Sequence, residues 1–226
     1  MDYINRLKQL FENEKNEEQA VAMAQYMKNQ FPFYGIKTPE RRKCMSVFFK
    51  ETGILAMPLS HEFCLKLWNM PEREWQNAAL DYLANYIDKL EVKDLPLLKT
   101  LITTKSWWDT VDMIASKQVG NLVLRNPDLI DTIMNDWVID NNMWLRRTAI
   151  LFQLSYKGQT NERILYDYIL KNADSKEFFI QKAIGWALRE YSKTDPESVK
   201  NFIKKTELAP LSRREGSKHF LKGETV

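Results

Sequence analysis

Cysteine and histidine are scarce in this chain of 226 residues. Cys44 and Cys64 are its only cysteines, and His61 and His219 are its only histidines. They are too few and too scattered for a disulfide framework or a zinc site. The sequence therefore predicts no metal centre, and we expect no cofactor.

Long apolar runs, glycine-rich linkers and low-complexity tracts are also missing. No apolar run approaches the roughly 18 residues that a membrane-spanning helix needs, and residues 1–15 mix charge into every turn, unlike a signal peptide. With seven glycines and 44% hydrophobic residues, the composition is that of a globular chain. We expect a cytoplasmic protein with no membrane partner, folded as a single domain over residues 1–226.

Neither sign of charge dominates the chain. Lysine and arginine number 33 against 30 acidic residues, which gives a net charge of +3 and a pI near 8.7. Such a balance permits a polyanionic partner but does not demand one. The positions of the charges are therefore more informative than their sum.

What the chain does contain is helical periodicity. Apolar residues recur at three- and four-residue spacing in nearly every segment, and no segment shows the alternation of a strand. Prolines stand near the predicted helix starts in "KTPER", "NPD" and "KTDPES". We predict an all-α protein of about twelve or thirteen short helices. The helix predicted in residues 74–90 has an apolar face that we expect to lie in the core. This face consists of Trp75, Ala79, Tyr82, Leu83 and Tyr86.

The helices could form either a bundle or a stack of helical pairs. Trp108, Arg147 and Trp186 favour the stack, because 39 residues separate each from the next. HEAT and armadillo repeats recur at roughly 40 residues, and equivalent positions of successive repeats lie on a common surface. Coincidence among seven tryptophans and many arginines is the alternative interpretation.

Helical phase separates these residues from the predicted core. Trp108 and Asp112 share one helix face. Trp107 forms a neighbouring apolar stripe with Val111 and Ile114 and is the better core candidate. Arg147 lies off the apolar stripe of its own helix, where an arginine calls for an anion. Trp186 similarly lies off the centre of its stripe and can reach a groove.

These side chains would combine two aromatic faces, one carboxylate and one guanidinium. Indole faces attract cations by about 0.5 to 2 kcal/mol each, a carboxylate adds attraction to a developing positive charge, and arginine binds phosphate bidentately. The set suits a cation flanked by a phosphate. Taken singly, each tryptophan is more often a core residue, and an Asp–Arg pair is more often a structural salt bridge.

Five stretches in order, "QYMKNQFPFYGIKTPERR", "SWWDTVD", "WLRR", "GWALREY" and "LSRREGSKHF", resemble the AlkD-like DNA alkylation-repair glycosylases. The resemblance runs from about Tyr3 to Phe220. It implies a C-shaped α–α superhelix of HEAT-like repeats whose concave face holds duplex DNA. It also implies hydrolysis of the N-glycosidic bond of cationic purines alkylated at N3 or N7, without flipping of the lesion into a protein pocket.

The resemblance also assigns roles to particular residues. It implies that Trp108 and Asp112 are the catalytic pair, that Trp186 is the second aromatic, and that Arg147 contacts the DNA backbone. Tyr26 resembles a further aromatic close to the lesion. Candidates for phosphate binding are polar and basic residues at turns and helix starts, about half of which we expect to touch no DNA: Lys37, Thr38, Arg41, Arg42, Arg146, Arg189, Arg213, Arg214 and Lys218.

Two other functions stay open at this point. The chain could bind unusual or branched DNA structures without catalysis, or it could be a HEAT-type scaffold for protein interactions. Our main prediction is a monofunctional alkylpurine DNA glycosylase of base excision repair. We expect a monomer that acts on duplex DNA with alkylated bases and has no obligate protein partner.

Overall fold

The structure, a computed structural model, describes residues 2–221. Every regular element in this part of the chain is helical, which confirms the predicted all-α class. Neighbouring helices pack on one another along the chain in the manner of an α–α helical repeat. Contacts divide the chain into two compact units, the first ending at Lys89 and the second beginning at Leu90. The single domain over residues 1–226 and the C-shaped curvature stay predictions.

The first unit is built from five α-helices and two short 3₁₀ turns in its described residues. The helices are α1 (Tyr3–Asn13), α2 (Glu17–Tyr26), α3 (Thr38–Thr52), α4 (His61–Asn69) and α5 (Arg73–Ala84), and the 3₁₀ turns are Ile54–Ala56 and Ile87–Lys89. All five predicted core residues of residues 74–90 are buried, as the periodicity predicted. The aromatic core also contains Phe11, Phe48 and Trp68.

A buried carboxylate fixes the segment that precedes α3. Glu74 accepts hydrogen bonds from the backbone N–H groups of Tyr34, Gly35 and Ile36, at 3.1, 2.9 and 3.0 Å. Gly35 has a φ of +86°, and a Cβ there would lie 1.9 Å from the backbone oxygen of Asn16. Only glycine fits this turn, which places the start of α3.

The second unit contains ten α-helical segments in its described residues. They are α6 (Leu95–Thr103), α7 (Trp108–Met113), α8 (Gly120–Arg125), α9 (Asn135–Trp137), α10 (Met143–Leu151), α11 (Glu162–Leu170), α12 (Phe178–Tyr191), α13 (Pro196–Lys205), α14 (Pro210–Gly216) and α15 (Lys218–Leu221). Short 3₁₀ turns lie at Val92–Asp94 and Lys157–Gln159. A π-helical segment, Ile114–Val119, joins α7 to α8, and another, Ile130–Met134, leads into α9.

The number of helices is close to the predicted twelve or thirteen, since α7 and α8 are parts of one continuous helix. Pro39 and Pro196 stand in the first turns of α3 and α13, as predicted. Pro127 lies in the turn before the second π-helical segment. No helix in residues 2–221 is both long and apolar enough to cross a membrane.

Helix α10 is central to the packing of the second unit. It contacts α6, α7, α9, α11 and α12 as well as the first π-helical segment. Helix α12 buries Ile180, Ile184 and Leu188 in the core that it shares with α10, α11 and α13. One face of α12 therefore anchors the helix, and the side chains beside that face are available to a cleft.

Candidate active site

An ion pair between α7 and α10 forms the centre of the candidate site. Arg147 Nε donates to Asp112 Oδ1 at 2.6 Å, and Arg147 Nη2 donates to Asp112 Oδ2 at 2.8 Å. A third guanidinium nitrogen, Nη1, donates to the backbone oxygen of Phe179 at the start of α12. Asp112 is 8% exposed and Arg147 is 4% exposed. Three helices thus fix the geometry of one buried, bidentate pair.

Burial and pairing act on Asp112 in opposite directions. Burial raises the pKa of its carboxyl above the ordinary value, because an ionised group loses solvation there. The hydrogen bonds and the charge of Arg147 counteract that rise, and Asp109 adds to it. Because both oxygens accept N–H donors, the geometry is that of an ionised carboxylate.

Two tryptophans border the same cleft as this pair. Trp108 begins α7, Trp186 lies in the middle of α12, and both are half-buried. The cleft has a volume of about 340 Å³. Its walls are Trp108, Asp112, Arg147, Phe178, Phe179, Lys182, Trp186, Arg189 and Glu215. The four residues singled out by spacing and motif therefore meet in one cleft of the second unit.

The prediction that Trp107 belongs to the core holds only in part. Val111 and Ile114, its predicted stripe neighbours, are fully buried, but Trp107 is half-buried. Its ring packs against Trp144 and Phe179, with centroids 6.1 and 5.0 Å away. Trp107 immediately precedes α7 and is extended, so the phase of that helix does not apply to it.

A second charge cluster borders the cleft around Glu215, which is 6% exposed. Its Oε1 lies 3.2 Å from Lys182 Nζ, and its Oε2 lies 3.1 Å from Arg189 Nη1 and 2.7 Å from Lys218 Nζ. The hydrogen bond from Lys218 and the contact with Lys182 lower the pKa of Glu215 to about 2. Arg189 was predicted to bind DNA, and the structure puts it on the wall of the cleft.

Several of the predicted phosphate contacts are engaged with the protein itself. Buried Arg41 donates to Asp81 at 2.9 Å. Arg146 donates to the backbone oxygen of Asp140 at 2.7 Å, and Arg213 donates to the backbone oxygens of Ile203 and Thr206. Arg41 thus links α3 to α5, while Arg146 and Arg213 bind backbone oxygens before α10 and at the end of α13. That about half of the candidates touch no DNA stays a prediction.

Besides Arg41, four predicted DNA contacts lie in the first unit. Tyr26, at the end of α2, is 70% exposed. Lys37, Thr38 and Arg42, at the start of α3, are exposed as well. Arg42 Nε lies 3.6 Å from Asp81. Their roles stay predictions, as do the roles assigned to the residues of the cleft.

Metal-ligating groups do not cluster anywhere in the described range. No group of three or more histidine, cysteine, aspartate or glutamate side chains there could hold a metal ion. Glu215 and Asp112, the two carboxylates of the cleft, both lie against cations instead.

Nearly the whole chain matches one known protein family. Residues 7–220 match the family described as DNA alkylation repair enzyme. The chain belongs to that family. It is also similar to the solved structure of a predicted DNA alkylation repair enzyme from Enterococcus faecalis, with 36% identity and a TM-score of 0.82 over 92% of this chain and 98% of that one. No curated protein matches it.

Membership of the DNA alkylation repair enzyme family confirms the resemblance to AlkD-like proteins that the motifs indicated. Sequence reasoning overlooked four residues of the cleft: Phe178, Phe179, Lys182 and Glu215. Lys182 could have been predicted from the sequence, since it lies four residues before Trp186 and shares its helix face. Glu215 could not, because its position depends on how α14 packs against α12.

Proposed function

We propose that this family member is a monofunctional DNA glycosylase. Its substrates are cationic alkylated purines of the 3-methyladenine and 7-methylguanine type in duplex DNA, which it releases for base excision repair, without base flipping. The observation that carries the proposal is the cleft in which Trp108, Trp186 and the paired carboxylate of Asp112 lie together. In this proposal the cleft holds the deoxyribose and its backbone, and the base stays outside it.

The chemistry follows from the charge of the substrate. An alkylated purine is already cationic, so cleavage of its glycosidic bond releases a neutral base and leaves positive charge on the deoxyribose. Groups that stabilise this oxocarbenium character lower the barrier. The indole faces of Trp108 and Trp186 and the carboxylate of Asp112 are such groups. Asp112 orients a water, which adds to C1′ and gives up its proton to the bulk solvent.

Hydrolysis by water is preferred to attack by an amine. Lys182 lines the cleft and lies 3.2 Å from the Glu215 carboxylate. An ammonium group held in an ion pair has no lone pair for nucleophilic attack on C1′. The proposed enzyme therefore stops after base release.

The decisive experiment measures single-turnover release of 3-methyladenine or 7-methylguanine from methylated duplex DNA. Asp112→Asn is expected to slow release by at least about a hundredfold with DNA affinity nearly unchanged, since it removes the charge that favours the sugar cation. Full activity of Asp112→Asn would contradict the mechanism. Asp109→Asn, three residues away, is the matched control and is expected to retain most of the activity.

A second candidate function is a binder of unusual or branched DNA that performs no catalysis. The deep burial of Asp112 and the engagement of both its oxygens by Arg147 favour it, since a structural ion pair has these properties. Tight binding of a four-way junction by the unchanged protein without base release would support this alternative. Base release that depends on Asp112 would exclude it.

A further inference from the structure

We propose that Lys182 and Arg189 form a binding subsite for one phosphate of the DNA backbone, with Glu215 holding both cations in place. The inference rests on the proposed function, because it assigns the phosphate to the DNA strand that occupies the cleft. It goes beyond that function by naming a specific contact to a DNA phosphate and the carboxylate that positions the two cations.

The first argument is the arrangement of side chains on α12. Lys182, Trp186 and Arg189 follow one another at intervals of four and three residues, so they share one face of the helix. All three line the cleft. The proposed sugar-contacting indole therefore stands between two cations. A strand whose deoxyribose meets Trp186 brings its phosphodiester groups to this face.

The second argument is the balance of charge. Arg147 and Asp112 form a one-to-one pair, so their formal charges cancel. Around Glu215, by contrast, three cations lie within 3.2 Å of one carboxylate. Two positive charges are left in excess there. A phosphodiester, with one negative charge, is the natural complement to that excess.

The third argument is that the two cations are positioned and still accessible. Their side chains are 38% and 33% exposed, for Lys182 and Arg189 respectively. A lysine ammonium has three N–H donors and a guanidinium has five, and Arg189 donates to Glu215 through Nη1. Holding long side chains in place before binding reduces the entropy that binding must overcome.

Helix α14 packs closely against α12 on the face next to these cations. A Cβ at Gly185 of α12 would lie 2.5 Å from Glu215 Cβ and 3.0 Å from the Ser212 backbone oxygen. Ser212 Oγ also donates to the Gln181 backbone oxygen at 2.9 Å. The close approach of the two helices brings the Glu215 carboxylate under the cations, where a more distant helix could not reach.

The test couples protein variants to single neutralised phosphates. The DNA is a duplex with a tetrahydrofuran abasic analogue, which no glycosylase can cleave, so binding is measured independently of base release. One methylphosphonate replaces each phosphate near the analogue in turn. We expect one position at which neutralisation weakens binding of the unchanged protein by about tenfold. In the double variant Lys182→Gln/Arg189→Gln, the methylphosphonate at that position should weaken binding by no more than about twofold. The reason is that the variant already lacks the cations that contact this phosphate.

The matched control is Lys171→Gln/Lys193→Gln, which also removes two positive charges from ion pairs of the second unit. Lys171 pairs with Asp167 and Lys193 with Glu190, and neither lines the cleft. This variant should keep the full methylphosphonate effect. If the double variant at the cleft fails to fold, Lys182→Gln alone serves, since Arg189 and Lys218 still accompany Glu215.

The outcomes separate this subsite from the proposed glycosylase. Base release with no coupling at any phosphate would overturn the subsite and leave the enzyme proposal standing. Coupling at one phosphate without base release would support the subsite and overturn catalysis. The control variant could instead lose the methylphosphonate effect to the same extent. A general positive field, rather than a built subsite, would then attract the DNA, and the inference would be wrong.

Discussion

Asp112 is held between burial, which favours its neutral acid, and Arg147, which favours its ionised form. The proposed chemistry needs the ionised form, because only a negative charge stabilises the sugar cation. The acid limb of the pH–rate profile therefore reports this carboxyl. Since burial raises the pKa of Asp112, activity should fall at a higher pH than an exposed aspartate would give.

Arg147→Lys tests whether the acid limb of the pH–rate profile reports Asp112. The substitution keeps the positive charge but loses the two parallel hydrogen bonds to Asp112. With fewer hydrogen bonds to lower it, the pKa of Asp112 rises further because of burial, so the acid limb moves to higher pH. We expect the rate of the variant, relative to the unchanged protein, to fall progressively as the pH is lowered from neutral into the acid range.

The measurement is single-turnover base release at saturating protein across this pH range. Arg146→Lys is the matched control, because the neighbouring arginine donates to the Asp140 and Asn141 backbone oxygens and not to Asp112. Parallel pH profiles for all three proteins would contradict the assignment of the acid limb to Asp112.

The Glu215 cluster depends on the close packing of helices α12 and α14. Their contact is close because Gly185 has no side chain, and Glu215 supplies the carboxylate that joins α12, α14 and α15 through ion pairs. The hydrogen bond from Lys218 and the contact with Lys182 lower the pKa of Glu215 to about 2. This links the stability of the helix packing to pH.

Glu215→Gln should therefore destabilise the protein in a pH-dependent way. The stabilisation by the ionised carboxylate is fully present above about pH 4.5 and is lost as the pH falls towards about 2. At neutral pH we expect the free energy of unfolding to fall by about 1 to 3 kcal/mol, which corresponds to a decrease in Tm of about 2 to 6 °C. The difference from the unchanged protein should shrink steadily below about pH 4.5.

Thermal unfolding monitored by circular dichroism between about pH 7 and pH 3 measures the effect. Glu190→Gln breaks the half-exposed pair with Lys193 and is the control, with an expected cost of less than about 1 kcal/mol. A Tm difference for Glu215→Gln that is independent of pH would indicate a packing defect instead of a lost charge.

At the scale of the whole molecule, the predicted functional residues divide between the two units. Trp108, Asp112, Arg147, Trp186 and Arg189 belong to the second unit, and they line one cleft. Tyr26, Lys37, Thr38 and Arg42 belong to the first. If the second unit supplies the chemistry, residues of the first unit should affect DNA affinity alone.

Arg42→Gln examines this division of roles. We expect DNA affinity to fall by about three- to tenfold and the salt dependence of binding to become less steep, because one phosphate contact is lost. The single-turnover rate at saturating protein should stay within about twofold of the original. Lys50→Gln, in the last turn of α3, is the control at the opposite end of that helix and should bind normally. A large fall in the saturated rate for Arg42→Gln would contradict the division.

Much of the fold was predictable because helical periodicity is a local property. Trp75, Tyr82 and Tyr86 could be assigned to the core from spacing alone, and the all-α class followed from the same pattern. Trp107 marks the limit of that reasoning, since the chain is extended there and the phase of the helix begins one residue later.

The candidate site was predictable only as far as motif and spacing reach. Trp108, Arg147 and Trp186 were found because they recur at equal separations, Asp112 because it shares a helix face with Trp108, and all four match a family pattern. Their mutual contacts were not. Arg147 was expected at the DNA backbone, and in the structure it donates to Asp112 and to the Phe179 backbone oxygen; backbone contact stays a prediction for its remaining donors.

By itself the sequence determined the helices, their buried faces and the family, because each depends on residues close together or on a pattern repeated in order. Tertiary structure alone decided which charges meet. Glu215 lies 33 residues beyond Lys182 in the chain and yet within 3.2 Å of it, because the packing of α14 on α12 brings them together. No local pattern encodes that distance, since it depends on how closely two helices approach at a glycine.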